Sequence, residues 1–187
     1  WWTGVHGGSI CGGILSPILQ ANMASNQKIL DSGVALTVQN GGHIFTQQFW
    51  DNFLCMSGAG IVIGLVIYIT FFAKSKSLRS LGKLSIVPNI FNINEPIIFG
   101  TPIVLNPILS IPFLIMPCLS AGLGYLVQSM GLVSLGYIVD PSFTPFFAQG
   151  FLSALDIRNV IFMFVLIALS VVVYYPFFKV YEKNTLE

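Results

Sequence analysis

The sequence predicts an all-α integral membrane protein in which transmembrane helices alternate with re-entrant hairpins and proline-broken helices. Three observations carry that prediction. Of 187 residues, 55% are hydrophobic and 8% charged, with a mean hydropathy of +0.82, whereas soluble domains are roughly a quarter charged. Residues 53–73 and 160–178 are charge-free runs of 21 and 19 residues, close to the ~20 that a helix needs to cross a bilayer. Finally, Pro88, Pro96, Pro102, Pro107, Pro112 and Pro117 fall within thirty residues. Each removes a backbone donor and disfavours helix at the residue before it.

The chain starts at Trp1 with no initiator methionine, signal peptide or basic leader, so it reads as a fragment whose upstream part is missing. The first 23 residues, with Gly7, Gly8, Gly12, Gly13 and Pro17, read as an irregular element. Residues 24–52 are the polar exception and read as a loop on one membrane face. Residues 53–73 read as the first spanning helix, where Gly60 and Gly64, four apart, form a small-residue face for close approach by another helix. Lys74, Lys76, Arg79 and Lys83 follow directly and place that end in the cytoplasm.

Residues 84–101 read as a re-entrant hairpin or broken helix. In hydrocarbon, non-helical backbone is tolerated only where protein buries it or where it lines an aqueous cavity. A second crossing is expected within 103–130, because no Asp, Glu, Lys, Arg or His falls between Pro96 and Val139. Residues 141–155 read as another irregular element. The last crossing, 160–178, runs into "YYPFFKVYEK", an aromatic belt with Lys179 and Lys183 as anchors, so the C-terminus is also expected in the cytoplasm.

The residues that stand out chemically are few. Glu95 is a lone carboxylate among prolines, asparagines and large apolar side chains. Two readings are open: a cap at an interfacial helix start, or the lining of a solute cavity. In the second, Asn92 and Asn94 add polar groups, while Phe91 and Phe99 cover the apolar face of a sugar ring. His6 lies among glycines beside Trp1 and Trp2, indoles suited to stacking on a sugar or to sitting at a membrane interface. A lone histidine is more often structural, and His43 reads as a loop residue. Asp156 and Arg158 suit the start of the last helix, paired or with the arginine snorkelling. Cys11, Cys55 and Cys118 have neither paired spacing nor metal-ligand neighbours and read as small buried hydrophobes. No metal site, cofactor motif or nucleotide loop is present, and a net charge of +1 gives no nucleic-acid footprint.

The segment "FNINEPIIFGTPIVLNPILSIPF" closely resembles the signature region of the membrane IIC permease component of bacterial sugar phosphotransferase systems, in the lactose, cellobiose and chitobiose group. "GVHGGSICGGILSPIL" resembles that family's histidine segment, "TPFFAQGFLSALDIRN" the segment before its last helix and "YYPFFKVYEK" its C-terminus. The resemblance implies that residues 1–187 form the C-terminal, substrate-binding and transport part of a multi-pass permease of the bacterial plasma membrane, homodimeric and lipid-embedded when complete. It implies that Glu95 and His6 approach the hydroxyl of a bound disaccharide, which a cytosolic IIB subunit, itself served by IIA, phosphorylates at the 6-hydroxyl from a phosphocysteine. Any catalytic share of this chain stays open, since the phosphate comes from the partner. An ion-coupled secondary transporter, with Glu95 as the ion site, is the alternative; a non-transporting truncated fragment is a third.

Overall fold

The computed structural model describes residues 4–141 and 144–186, and their regular elements are all helical, with no strand among them. Helix α1 runs over Gly7–Asp31. The expected irregularity of the first 23 residues is therefore corrected, as is the loop over 24–31. Gly7 and Gly8 fall in the first turn, and Pro17 is absorbed within the helix, as the drive to pair backbone groups in an apolar medium allows. Trp1 and Trp2 lie outside the described residues.

Residues 32–46 do form a loop, held by the fully buried Asn26. Its Nδ2 donates to the carbonyls of His43 (2.9 Å) and Gly136 (3.0 Å), and its Oδ1 accepts from the His43 amide (2.7 Å). His43 contributes backbone to this knot, which fits its reading as a loop residue.

The expected unbroken helix at 53–73 is two pieces. Helix α2 (Gln47–Phe49) continues as a π-helical turn, Trp50–Leu54. The chain then breaks, makes a short 3-10 turn at Ala59–Ile61 and resumes as α3 (Ile63–Phe72), bent by 46° from the first piece. Four residues at the break have positive φ: Ser57 (60°), Gly58 (81°), Gly60 (80°) and Ile61 (49°). Gly60 and Gly64 do face protein, but not as one helical stripe. Gly60 lies in the break beneath the Phe113 ring, and Gly64 packs on the backbone of Ser170.

The basic segment opens α4 (Lys76–Ile90), capped by Ser75. A four-residue break separates it from the short α5 (Glu95–Gly100), so 84–101 is a broken helix. Helix α6 (Pro107–Ser129) is the expected second crossing. Its N-cap Asn106 accepts from the amides of Ile108 and Leu109, and Pro107 occupies the first turn, where no donor is lost. The irregular stretch near 141–155 contains the short α7 (Phe146–Leu152), and α8 (Ile157–Leu186) covers the segment expected to make the last crossing. Helices α6 and α8 are each long and apolar enough to span a membrane, and the bent pair through α2 and α3 makes a third.

Helix α3 sits at the centre, against α4 and α8. Tyr68 stacks on Phe178 at 5.8 Å between ring centroids, and Phe53 meets Phe162 edge-on at 5.2 Å. The two basic ends come together: the Lys74 amide donates to Glu182 Oε1 at 2.5 Å, and Arg79 Nη2 donates to the Ala73 carbonyl. Large apolar side chains such as Ile14, Leu114 and Val172 face outward, as lipid or further protein requires. The cysteines correct their expected burial: Cys11 and Cys118 are exposed and Cys55 is half-buried. Cys11 and Cys55 line the cleft described below.

Candidate functional site

Broken helices leave backbone groups to be satisfied by something else. At the first break, three carbonyls in succession are taken by distant side chains. Ala59 O accepts from Asn94 Nδ2 (2.5 Å), Gly60 O from the buried Tyr174 hydroxyl (2.8 Å) and Ile61 O from Ser170 Oγ (2.6 Å). The Ser57 amide donates to Asn92 Oδ1 at 2.7 Å, and the Ser57 hydroxyl to Asn89 Oδ1 at 2.5 Å. Thus Asn92 and Asn94 in the second break, at 91–94, with Asn89 from the last turn of α4, hold the first break in place.

Asn92 itself sits at φ 63°, a region that asparagine tolerates better than most residues. Its Nδ2 donates to Gln149 Oε1 at 2.7 Å, which ties α7 to the same point. Asn94 is 3% exposed and its amide lies against Gly58. Both asparagines therefore brace backbone as well as line the space between the breaks. Asn89 shares this work and was not singled out from the sequence, although it stands three residues before Asn92 in the same motif.

That space is a cleft of about 540 Å³, and all four sequence-predicted site residues line it: His6, Asn92, Asn94 and Glu95. Glu95 is the first residue of α5 and half-buried. Among the described residues no side chain donates a hydrogen bond to its carboxylate. His6 is the N-cap of α1, and its Nδ1 accepts from the Ser9 amide at 3.0 Å. With Nδ1 accepting, a neutral ring carries its proton on Nε2.

The cleft also contains Trp50, Asp51, Phe113 and Gln149, which sequence reasoning missed. Asp51 was assigned to the polar loop, although it directly precedes the apolar run; Gln149 is the lone polar side chain in "FFAQGF". Of the expected aromatic covers, Phe91 lines a side hollow and Phe99 neither the cleft nor its side hollows. Phe113 takes that position. Asp156 and Arg158 lie apart from the cleft as an ion pair of 2.6 Å, with Asp156 Oδ2 also accepting from the Ser134 hydroxyl. The Arg158 hydrogen bond holds the Asp156 carboxyl down at about 2.

Comparison with known proteins agrees with this arrangement. The profile of the family "Phosphotransferase system, EIIC" matches residues 1–117. The chain is similar to the lichenan permease IIC component of Bacillus subtilis (40% identity, 100% of this chain, 41% of that protein). It is also similar to the cellobiose-specific EIIC component of Geobacillus stearothermophilus (37% identity, 98% and 41%). The lactose-specific EIICB component of Lacticaseibacillus casei is 33% identical over 100% of this chain and 32% of that protein. The crystal structure of ChbC, the IIC component from the N,N'-diacetylchitobiose-specific phosphotransferase system, superposes with a TM-score of 0.91 at 38% identity, over 99% of this chain and 42% of that one. The chain thus spans about two fifths of the length of the IIC relatives it matches. On the profile match and the geometry together, it belongs to the EIIC family of the phosphotransferase system.

Proposed function

We propose that residues 1–187 are the substrate-binding part of a sugar permease that takes up a β-linked disaccharide of the cellobiose, lactose or chitobiose kind and presents it for phosphorylation. The observation that carries this reading is the meeting of Glu95 and His6 in one cleft built by two broken helices. A cleft of this size, apolar on one side and lined by a few convergent polar groups, suits a ring with many hydroxyls. The similar proteins are named for such sugars.

In the proposed step the 6-hydroxyl oxygen attacks the phosphorus of a phosphocysteine on a IIB partner. The O–P bond forms, the S–P bond breaks and the thiolate leaves. Glu95 accepts the hydroxyl hydrogen and aims the oxygen lone pair, and His6 shares that proton. The two basic ends, around Lys74–Lys83 and Lys179–Lys183, face the cytoplasm, where IIB and IIA act. The complete permease is a homodimer in the bacterial plasma membrane.

Ion-coupled transport is the second reading. The sequence offered no second carboxylate in an apolar setting, but Asp51 in the same cleft supplies one, so that argument against ion coupling lapses. Family membership favours the first reading. The test is uptake into proteoliposomes holding the complete permease. Accumulation of phosphorylated disaccharide that depends on phosphoenolpyruvate and the soluble partners is expected. Accumulation of unmodified sugar on a proton or sodium gradient alone would sink the proposal. A folded fragment 1–187 that binds no disaccharide would favour the non-transporting reading.

A further inference from the structure

Asp51 is unused by the reading above. It lies half-buried in the π-helical turn Trp50–Leu54 that leads into the first break. Both of its carboxylate oxygens accept from a single donor, Gln47 Nε2, at 3.1 Å each. Among the described residues no cation pairs with it. An ionised carboxylate has about four acceptor positions, so most of its capacity is open. A carboxylate left so in an apolar surround is costly and marks a site where something else supplies donors.

The shape of the space indicates what that is. Glu95 lines the main cleft and neither of two adjoining hollows of about 330 Å³ and 260 Å³, whereas Asp51 lines all three, sharing the first hollow with His6. The room for ligand therefore continues past Asp51, away from Glu95. Trp50 beside it lines the same cleft and offers an indole face on which a ring can lie. The neighbouring Gln47 Oε1 is a buried acceptor with no partner among the described residues. Acceptors thus dominate this end, and the matching ligand surface is a set of donors.

We propose that Asp51 is a specificity residue for the second sugar ring: its carboxylate accepts hydrogen bonds from two neighbouring hydroxyls on the ring remote from Glu95. This rests on the disaccharide reading above. A site built to accept from a hydroxyl discriminates strongly against an analogue lacking it, because the buried carboxylate is left unpaired.

The test is titration calorimetry on the complete permease in detergent, with cellobiose, lactose and cellobioses deoxygenated one hydroxyl at a time. Wild type is expected to lose affinity by about ten- to a hundredfold at one or two hydroxyls of the ring that is not phosphorylated. Asp51→Asn is expected to bind cellobiose more weakly and to ignore removal of those same hydroxyls. Asp51→Glu, which keeps the charge and moves it by one methylene, is expected to alter the preference between cellobiose and lactose. Wild type insensitive to every hydroxyl of the second ring overturns the proposal, whatever the variants do. So does a folded Asp51→Asn that matches wild type on each sugar. Wild type that binds neither disaccharide overturns the underlying reading instead, and this one with it.

Discussion

Asn94 Nδ2 donates to the carbonyl of Ala59 at 2.5 Å, a hydrogen bond that spans 35 positions of chain and joins the break before α5 to the break before α3. The residue preceding the candidate carboxylate is thus the strut that fixes the opposite wall of the cleft. Position and chemistry are divided within the Asn-Glu-Pro motif: Asn94 holds the frame, Glu95 faces the space and Pro96 fits the first turn of the helix.

Replacing the strut tests that division. Asn94→Ala leaves the Ala59 carbonyl unpaired and opens a gap over Gly58, and is expected to cost about 1–3 kcal/mol. Asn94→Asp keeps the shape but sets an acceptor against an acceptor, so it is expected to destabilise at least as much. Thermal unfolding in detergent reads both. An Asp variant as stable as wild type would show that the hydrogen bond contributes nothing.

Gly60 combines φ 80° with a Phe113 ring where a side chain would go. Gly60→Ala therefore meets two obstacles, the left-handed backbone, worth about 1–2 kcal/mol, and the ring. The pair Gly60→Ala with Phe113→Ala relieves only the second. The expected result is partial recovery relative to the sum of the single changes, and strict additivity of the two melting shifts would remove the contact from the account.

How much of this was legible follows from what each signal measures. Helices α6 and α8 were readable because continuous apolar composition reports bilayer crossing directly. Hydropathy is blind to φ, so the break at 55–62 hid inside a perfect apolar run, and Gly60 passed as a packing residue. Helix α1 was misread for the converse reason: glycines in a first turn and one tolerated proline look like punctuation but cost little there. Glu95 stood out as a lone carboxylate in an apolar stretch, His6 was joined to it by the family resemblance, and both line the cleft. Asp51 was lost because a polar neighbourhood in sequence assigned it to a loop, while the π-helical turn carries it into the cleft.

The Asp156–Arg158 pair predicts an acid-sensitive component of stability. The Asp156 carboxyl is held at about 2 in the folded protein, below its ordinary 3.8. A depressed carboxylate stabilises above its unfolded value and loses that contribution as pH falls. The loss should lie between about pH 4 and 2, and Arg158→Gln should reduce it, leaving the part due to the Ser134 hydroxyl and the backbone amide at 158. Melting temperatures of wild type and variant are expected to differ at pH 6 and to converge by pH 2; curves that stay parallel throughout would refute the linkage. The difference itself should be modest, since the Arg158 side chain is more than half exposed to solvent.

His6 and Glu95 can be separated from their structural duties by choosing replacements with care. Glu95→Gln preserves shape and hydrogen-bonding reach but cannot take a proton, so phosphorylation is expected to fall by about 10²- to 10⁴-fold, the usual range for a lost general base, with a smaller loss of sugar affinity. His6→Ala would be ambiguous, because His6 Nδ1 caps α1 through the Ser9 amide. His6→Asn resolves this: asparagine is among the best N-caps, so α1 keeps its start while the imidazole is gone. If the ring takes part in the chemistry, His6→Asn should insert and melt like wild type yet phosphorylate slowly. If it serves only as a cap, His6→Asn should phosphorylate normally and His6→Ala should fail through instability. Phosphorylation rates beside melting curves for the three variants decide between a histidine that handles a proton and one that only starts a helix.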